Sequence, residues 1–206
     1  MNKIKLLISA ILAGLCISFG GAAYLSVDSK ILGAFLFTIG LFAICTMGFH
    51  LYTGKVCYLF DYDLSYVYDI LIIWLGNLIG TFTGAKLHLC TRYGYTLATN
   101  ASIICQTKLS DNLFSIFILA IFCNALIYFA VDGFINNKHE LGKYLALFFG
   151  VVVFIFCGFE HCIANMYYFT IAGVWSLRTI LYLLVMSLGN AVGGIFFHIA
   201  HQYISN

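Results

Sequence analysis

Two ionisable residues, Glu160 and His161, stand in the middle of an apolar segment that runs from residue 144 to residue 175. About 20 apolar residues can span a bilayer as a helix, and a charged side chain near its centre costs about 2.5–3.5 kcal/mol on insertion scales. Gly158 precedes the pair and can relax the helix. We therefore predict a broken membrane helix that presents a titratable imidazole to a transport pathway. The alternative is a His–Glu pair that holds two helices together.

The composition places the whole chain in the membrane. Of its 206 residues, 63% are apolar and 9% are charged, whereas a soluble domain carries about 25% charged residues. The first apolar segment follows two lysines, as in a signal peptide, but it is long enough to span the bilayer and we predict that it is retained. Six segments qualify as spans, at about residues 4–27, 31–49, 66–90, 113–131, 144–175 and 179–200.

Charge and cysteine patterns argue against several functions. The net charge of +2 is spread thinly, so we expect no nucleic-acid partner. The eight cysteines include no C-x-x-C pair and lie mostly in apolar segments, where cysteine acts as a small hydrophobe. His198 and His201 form a single i,i+3 pair without a third ligand, so we expect interfacial histidines rather than a metal site, and no cofactor.

Polar residues and a glycine also interrupt the second apolar segment, at residues 50–55 (His-Leu-Tyr-Thr-Gly-Lys). Non-helical backbone at membrane depth is tolerated only where it is buried or lines a cavity. We therefore predict a second broken helix, in which Thr53 offers a hydroxyl.

The two halves of the chain repeat. Leu-Gly-Asn-x-x-Gly at residues 75–80 recurs at 188–193, and Gly-Phe at 48–49 recurs at 158–159. Each half holds three spans, so the second half must be inverted relative to the first, with a site near the midplane at the broken helices. We predict an all-α integral membrane protein with six transmembrane helices as a 3+3 inverted repeat, broken in helices 2 and 5. It forms a single domain over residues 1–206, with repeats roughly at 1–95 and 108–206.

His161 is the histidine placed deep in a span, and imidazole titrates near neutral pH. We expect Glu160 or Asn165 to fix its tautomer and orientation. Phe154 precedes His161 by two helical turns and would share its face. Lys108 could attract anions or be an ordinary interfacial lysine.

The residues 158–166, Gly-Phe-Glu-His-x-Ile-Ala-Asn-Met, resemble the signature of the formate/nitrite transporter family. The break at 51–54, Asn124 with the Ala-Val at 130–131, and both Leu-Gly-Asn-x-x-Gly segments fit the same family in order. The resemblance implies an aquaporin-like protomer, a homopentamer, and one pore in each protomer.

By that resemblance, His161 is the family's central histidine with Glu160 beside it, and Thr53 is the threonine of a flexible pore loop. Lys108, 16 residues before Asn124, falls on an anion-attracting lysine. Tyr52 replaces a commoner phenylalanine and would put a hydroxyl at a constriction. The apolar constrictions fall on six residues, the first three towards the cytoplasm and the others towards the outside: Leu41, Leu51, Tyr52, Phe37, Ile127 and Phe154.

The function expected from these features is a channel or transporter for small monovalent anions of weak acids, such as formate, nitrite, hydrosulfide or a short carboxylate. It would be proton-coupled through His161 and lie in the bilayer of the inner, cytoplasmic membrane. An aquaporin-like pore for water or glycerol is the alternative, although the chain has no proline for Asn-Pro-Ala motifs. A membrane enzyme or haem protein using His50, His161 and cysteines is a further alternative, and neither a C-x-x-C-H motif nor a dense histidine cluster supports it.

Overall fold

The computed structural model describes residues 2–205, and secondary structure within that range is entirely helical. Six of the helices are long and apolar enough to cross a membrane, which confirms the predicted class. The elements in chain order are α1 (Lys3–Leu25), α2 (Lys30–Met47), α3 (Tyr52–Lys55), a 3-10 helix (Val56–Asp61), α4 (Ser65–Leu89), α5 (Gly94–Ser110), α6 (Leu113–Asn136), α7 (Glu140–Cys157), α8 (Cys162–Ala172) and α9 (Leu177–Ser205).

Both membrane helices that were predicted to break do so after a glycine. Gly48, with φ 70°, is the C-cap residue of α2, and Gly158, with φ 73°, is the C-cap residue of α7. A β-carbon on either glycine would meet no atom within 4 Å, so crowding does not require glycine at these positions. The left-handed backbone conformation does, because residues with a β-carbon rarely adopt it. The chain then runs through a few non-helical residues before the short helices α3 and α8 begin.

The helix pairs of the two halves pack through corresponding glycines. A β-carbon on Gly80 of α4 would collide with the Ile11 carbonyl oxygen of α1. A β-carbon on Gly193 of α9 would collide in the same way with the Ile121 carbonyl oxygen of α6. Close approach through small residues is how membrane helices gain packing energy, so the repeated glycines are structural.

The polar stretch between the third and fourth spans forms a helix, α5, which was not predicted. Its buried residues Leu97, Ala101 and Cys105 recur every four residues and make a narrow apolar face. This helix packs against α1, α4 and α8 and carries Lys108 in its last turn. Lys108 therefore lies in a helix beside the second helix break, and not in a loop between two membrane spans.

Candidate functional site

The two helix breaks meet at a hydrogen bond between Thr53 and His161. The Thr53 Oγ1 atom lies 3.0 Å from His161 Nε2, and both side chains are buried. Thr53 belongs to the first turn of α3, and His161 is the N-cap residue of α8. A hydroxyl and an imidazole from opposite halves of the chain are thus in contact in the interior of the protomer.

The tautomer of His161 follows from its second ring nitrogen. The Nδ1 atom accepts the backbone N–H of Ala164 at 3.0 Å, so it carries no proton. The neutral ring must hold its proton on Nε2 and donate it to Thr53 Oγ1. We expected the side chains of Glu160 or Asn165 to fix the ring; instead the Ala164 backbone and the Thr53 hydroxyl do so, because His161 caps the helix that follows it.

Phe154 covers one face of the imidazole. The two rings are stacked with their centroids 5.4 Å apart and an interplanar angle of 17°. The predicted reason was wrong, because α7 ends at Cys157 and the two residues do not share a continuous helix. Phe37 of α2 meets the edge of Phe154 at a centroid distance of 6.1 Å, so an aromatic pair lies next to the Thr53–His161 contact.

Two corresponding asparagines bind the backbone of the breaks. In the first break, Asn77 of α4 accepts the Tyr52 N–H at 2.8 Å and donates to the carbonyls of His50 and Ala10. The Leu-Gly-Asn-x-x-Gly repeat thereby does more than pack helices. It satisfies backbone groups that a broken helix would otherwise leave unpaired in the membrane.

The second break is bound in the same way. Asn190 of α9 accepts the Cys162 N–H at 2.9 Å and donates to the carbonyls of Glu160 and Ala120, both at 2.8 Å. The hydrogen bonds of each asparagine therefore connect a long helix, a break and the first residues of a short helix.

Lys108 forms a buried ion pair with Glu160, with Nζ 2.6 Å from Oε2. The side chains are 13% and 3% exposed, so Lys108 is not an ordinary interfacial lysine. Asn165 Nδ2 donates to the same Glu160 oxygen at 2.8 Å and to the His161 carbonyl at 3.0 Å. Two helices, α5 and α8, thus hold the carboxylate next to the imidazole without touching the ring.

Asn124 in α6 supports the Thr53 side of the Thr53–His161 contact. Its Nδ2 donates to the Thr53 carbonyl at 3.1 Å and fixes the backbone from which the threonine hydroxyl projects. Gly194 of α9 packs so closely on this amide that a β-carbon there would collide with Nδ2.

Two separate cavities approach this centre. One, of about 220 Å³, is lined by residues from the C-terminal end of α2 and from the first break, including Leu41, Leu51 and Lys55. The other, of about 270 Å³, includes Lys30 at the N-terminal end of α2 together with Lys108, Glu160, His161 and Phe154. They share no lining residue, so they lie towards opposite ends of α2.

Three predicted constriction residues do not line either cavity. Phe37 and Ile127 are each 1% exposed and are packed in the hydrophobic core. Tyr52 donates its hydroxyl to the Ser187 carbonyl of α9 at 3.0 Å. The Tyr52 hydroxyl is therefore paired with a neighbouring helix, and its place at a constriction stays a prediction.

A helical membrane protein with two interrupted spans and a polar contact between them has the architecture of a transport protein. The sequence profile of the family described as "Formate/nitrite transporter" matches residues 1–204. The chain belongs to the formate/nitrite transporter family. Membership makes it a transport protein and not an enzyme.

Known proteins resemble it along most of its length. The probable formate transporter of Methanothermobacter thermautotrophicus is 28% identical over 94% of this chain and 85% of its own. The formate channel FocA of Haemophilus influenzae is 25% identical over 77% of this chain, and the match spans 63% of that relative's length. A solved pentameric formate channel with formate bound superposes with a TM-score of 0.86 at 27% identity, covering 98% of this chain and 97% of the other.

The asparagine contacts give a test of what holds the breaks. Asn190→Leu keeps a similar shape but leaves the Cys162 N–H and the Glu160 and Ala120 carbonyls unpaired. Each buried unpaired group costs about 1–3 kcal/mol, so we expect a large fall in thermal stability of the detergent-solubilised protein. Asn136→Ala, on the exposed end of α6, is the control and should change the unfolding temperature little. Equal behaviour of the two variants would contradict the role of Asn190.

Proposed function

We propose that this protein conducts small monovalent anions of weak acids, such as formate, nitrite, hydrosulfide or short carboxylates, across the cytoplasmic membrane, and that a proton moves with the anion through the Thr53–His161 pair. The observation that carries the proposal is the hydrogen bond between the two helix breaks, with apolar rings beside it. The relatives named above, a formate channel and a probable formate transporter, support the substrate class.

The apolar surroundings explain why a proton is needed. Phe154 stacks on the His161 ring, and Phe37 packs on Phe154. Both residues, and Ile127, are almost completely buried. An isolated ionised group is very costly to move into such surroundings, whereas a neutral acid is not. An anion that gains a proton in the cavity beside His161 would cross this barrier as the uncharged acid.

The geometry favours a relay and not simple donation by His161. Nε2–H already donates to Thr53 Oγ1, so the threonine keeps its own hydroxyl proton free to donate onward to a substrate oxygen or sulfur. Net transfer from the ring requires Nδ1 to take a proton from water in the cavity that His161 lines as Nε2 releases its own, and this breaks the hydrogen bond from the Ala164 N–H. Thr53 lines neither cavity, so it would donate to a substrate that has advanced past the cavity lined by His161, and His161 would orient and recharge the threonine hydroxyl.

His161→Asn tests the proton coupling. The amide can replace part of the hydrogen bonding, so the protein should still fold, but it does not titrate near neutral pH. We expect proton-coupled formate flux in proteoliposomes to fall roughly a hundredfold, the scale on which losing one proton-transfer group acts. An internal pH dye measures the proton and a formate assay the anion. His201→Asn, on an exposed end of α9, is the matched control.

Proton co-transport by His161→Asn at the wild-type rate would show that His161 only caps α8. The proton-coupled mechanism would then be wrong, whatever anion the protein carries.

We assign Lys108 two roles, and the single variant Lys108→Ala would remove both at once. Its ammonium attracts anions to the cavity, and it also neutralises the buried Glu160 carboxylate. Removing one partner of a buried pair is strongly destabilising, by about 3–5 kcal/mol. The double variant Lys108→Ala/Glu160→Gln removes the cation without leaving an uncompensated carboxylate, and its reference is the wild-type protein measured at the same ionic strengths.

We expect the double variant to lose uptake of dilute formate most strongly at low salt. The Debye length is about 30 Å at 0.01 M and about 8 Å at 0.15 M, so screening already weakens the attraction in the wild type at high salt. Initial rates at both ionic strengths measure the effect. A loss of the same size at each would assign Lys108 a structural role alone.

The assembly proposed from the pentameric formate channel is a homopentamer with one pore in each protomer. Many large apolar side chains on the outer faces of the protomer are exposed, as expected for contact with lipid or with other copies. Native mass spectrometry from mild detergent should give about five times 22.9 kDa. A stable monomer or tetramer would contradict the proposed assembly.

A further inference from the structure

Two buried polar atoms beside the cavity that holds Lys108 have no hydrogen-bond partner among residues 2–205. They are Asn165 Oδ1 and the Tyr168 hydroxyl. Both residues belong to α8, both line the cavity, and they are 1% and 4% exposed. Residues three apart on a helix are neighbours on one face, with Cβ atoms about 5–6 Å apart. The fold thus presents two unpaired groups from one helix face to one cavity.

The orientation of the Asn165 amide is fixed by its nitrogen. Nδ2 donates to a Glu160 carboxylate oxygen and to the His161 carbonyl, and both of these only accept. Turning the amide over would set its oxygen against two acceptors. Oδ1 is therefore an acceptor that needs a donor, and a bare oxyanion has none to offer.

The Tyr168 hydroxyl differs from that of its neighbour. Tyr167, the preceding residue, pairs its hydroxyl with His88 Nδ1 at 3.0 Å and does not line the cavity. Tyr168 has the same burial but no such partner. Leaving a buried hydroxyl unpaired is unfavourable, and a bound ligand would remove that cost.

The ligand that complements this pair has one O–H donor and one oxygen acceptor. A carboxylic acid or nitrous acid in its protonated form has both, whereas sulfhydryl groups are weak donors and weak acceptors. We propose that Asn165 Oδ1 and the Tyr168 hydroxyl form a subsite for the protonated form of a small oxyacid, with Tyr168 donating to its second oxygen. The subsite rests on the proposed function and names the substrate class: oxyacids in preference to hydrosulfide.

Tyr168→Phe tests the subsite by removing one hydroxyl. We expect the formate concentration that gives half-maximal flux in proteoliposomes to rise roughly three- to tenfold, which corresponds to a single hydrogen bond. Tyr167→Phe is the control: it also loses a buried hydroxyl and a hydrogen bond, but away from the cavity, and should leave that concentration unchanged. Tyr168→Met, apolar and unbranched, is the second variant if Tyr168→Phe does not reconstitute.

The outcomes separate this inference from the function on which it rests. A fall in maximal flux with an unchanged half-saturating concentration would give Tyr168 a packing role and overturn the subsite. Wild-type protein that carries hydrosulfide but neither formate nor nitrite would also overturn it, and would leave the anion pathway in place. Wild-type protein that carries no anion faster than protein-free liposomes would overturn both.

Discussion

Hydrogen bonds from two asparagines make the rest of this structure possible. A broken helix inside a bilayer exposes backbone N–H and C=O groups, and no lipid can satisfy them. Asn77 and Asn190 each bind an N–H at the start of a short helix and a carbonyl in the preceding break. Once those groups are paired, Thr53 and His161 can stand in the interior with fewer unpaired backbone groups around them. The polar contact at the centre therefore depends on amides contributed by α4 and α9.

The scaffold could be predicted from the sequence because its signals are local. Apolar length gave six spans, Gly48 and Gly158 marked both breaks, and a repeated motif related the halves. The partners of the buried polar groups could not be predicted, since they come from distant segments. Lys108 and Glu160 lie 52 positions apart, and nothing in the sequence indicates that they form an ion pair. α5 was missed because its apolar face is narrow within a polar stretch.

Helix capping explains why the central histidine is neutral in this arrangement. His161 accepts the Ala164 N–H at the N-terminus of α8, where the aligned peptide dipoles carry a partial positive charge. A proton on Nδ1 would lose that hydrogen bond and place a cation against the same dipoles and near Lys108. Glu160 does not offset this, because its carboxylate is already bound by Lys108 and Asn165. Protonating the ring would therefore remove the N-cap hydrogen bond of α8.

The duplicated scaffold carries chemistry that is not duplicated. With an offset of 110 between the breaks, His161 corresponds to Leu51, and Thr53 corresponds to Ile163. The second break therefore supplies the imidazole of His161 and the apolar Ile163. The first break supplies the hydroxyl of Thr53 and the apolar Leu51, which lines the cavity on that side. The repeat determines where the breaks meet, whereas the residues that differ between the halves determine what can be exchanged there. A pair such as Thr53 and His161 is possible because the two halves differ at these positions, whereas Asn77 and Asn190 are equivalent.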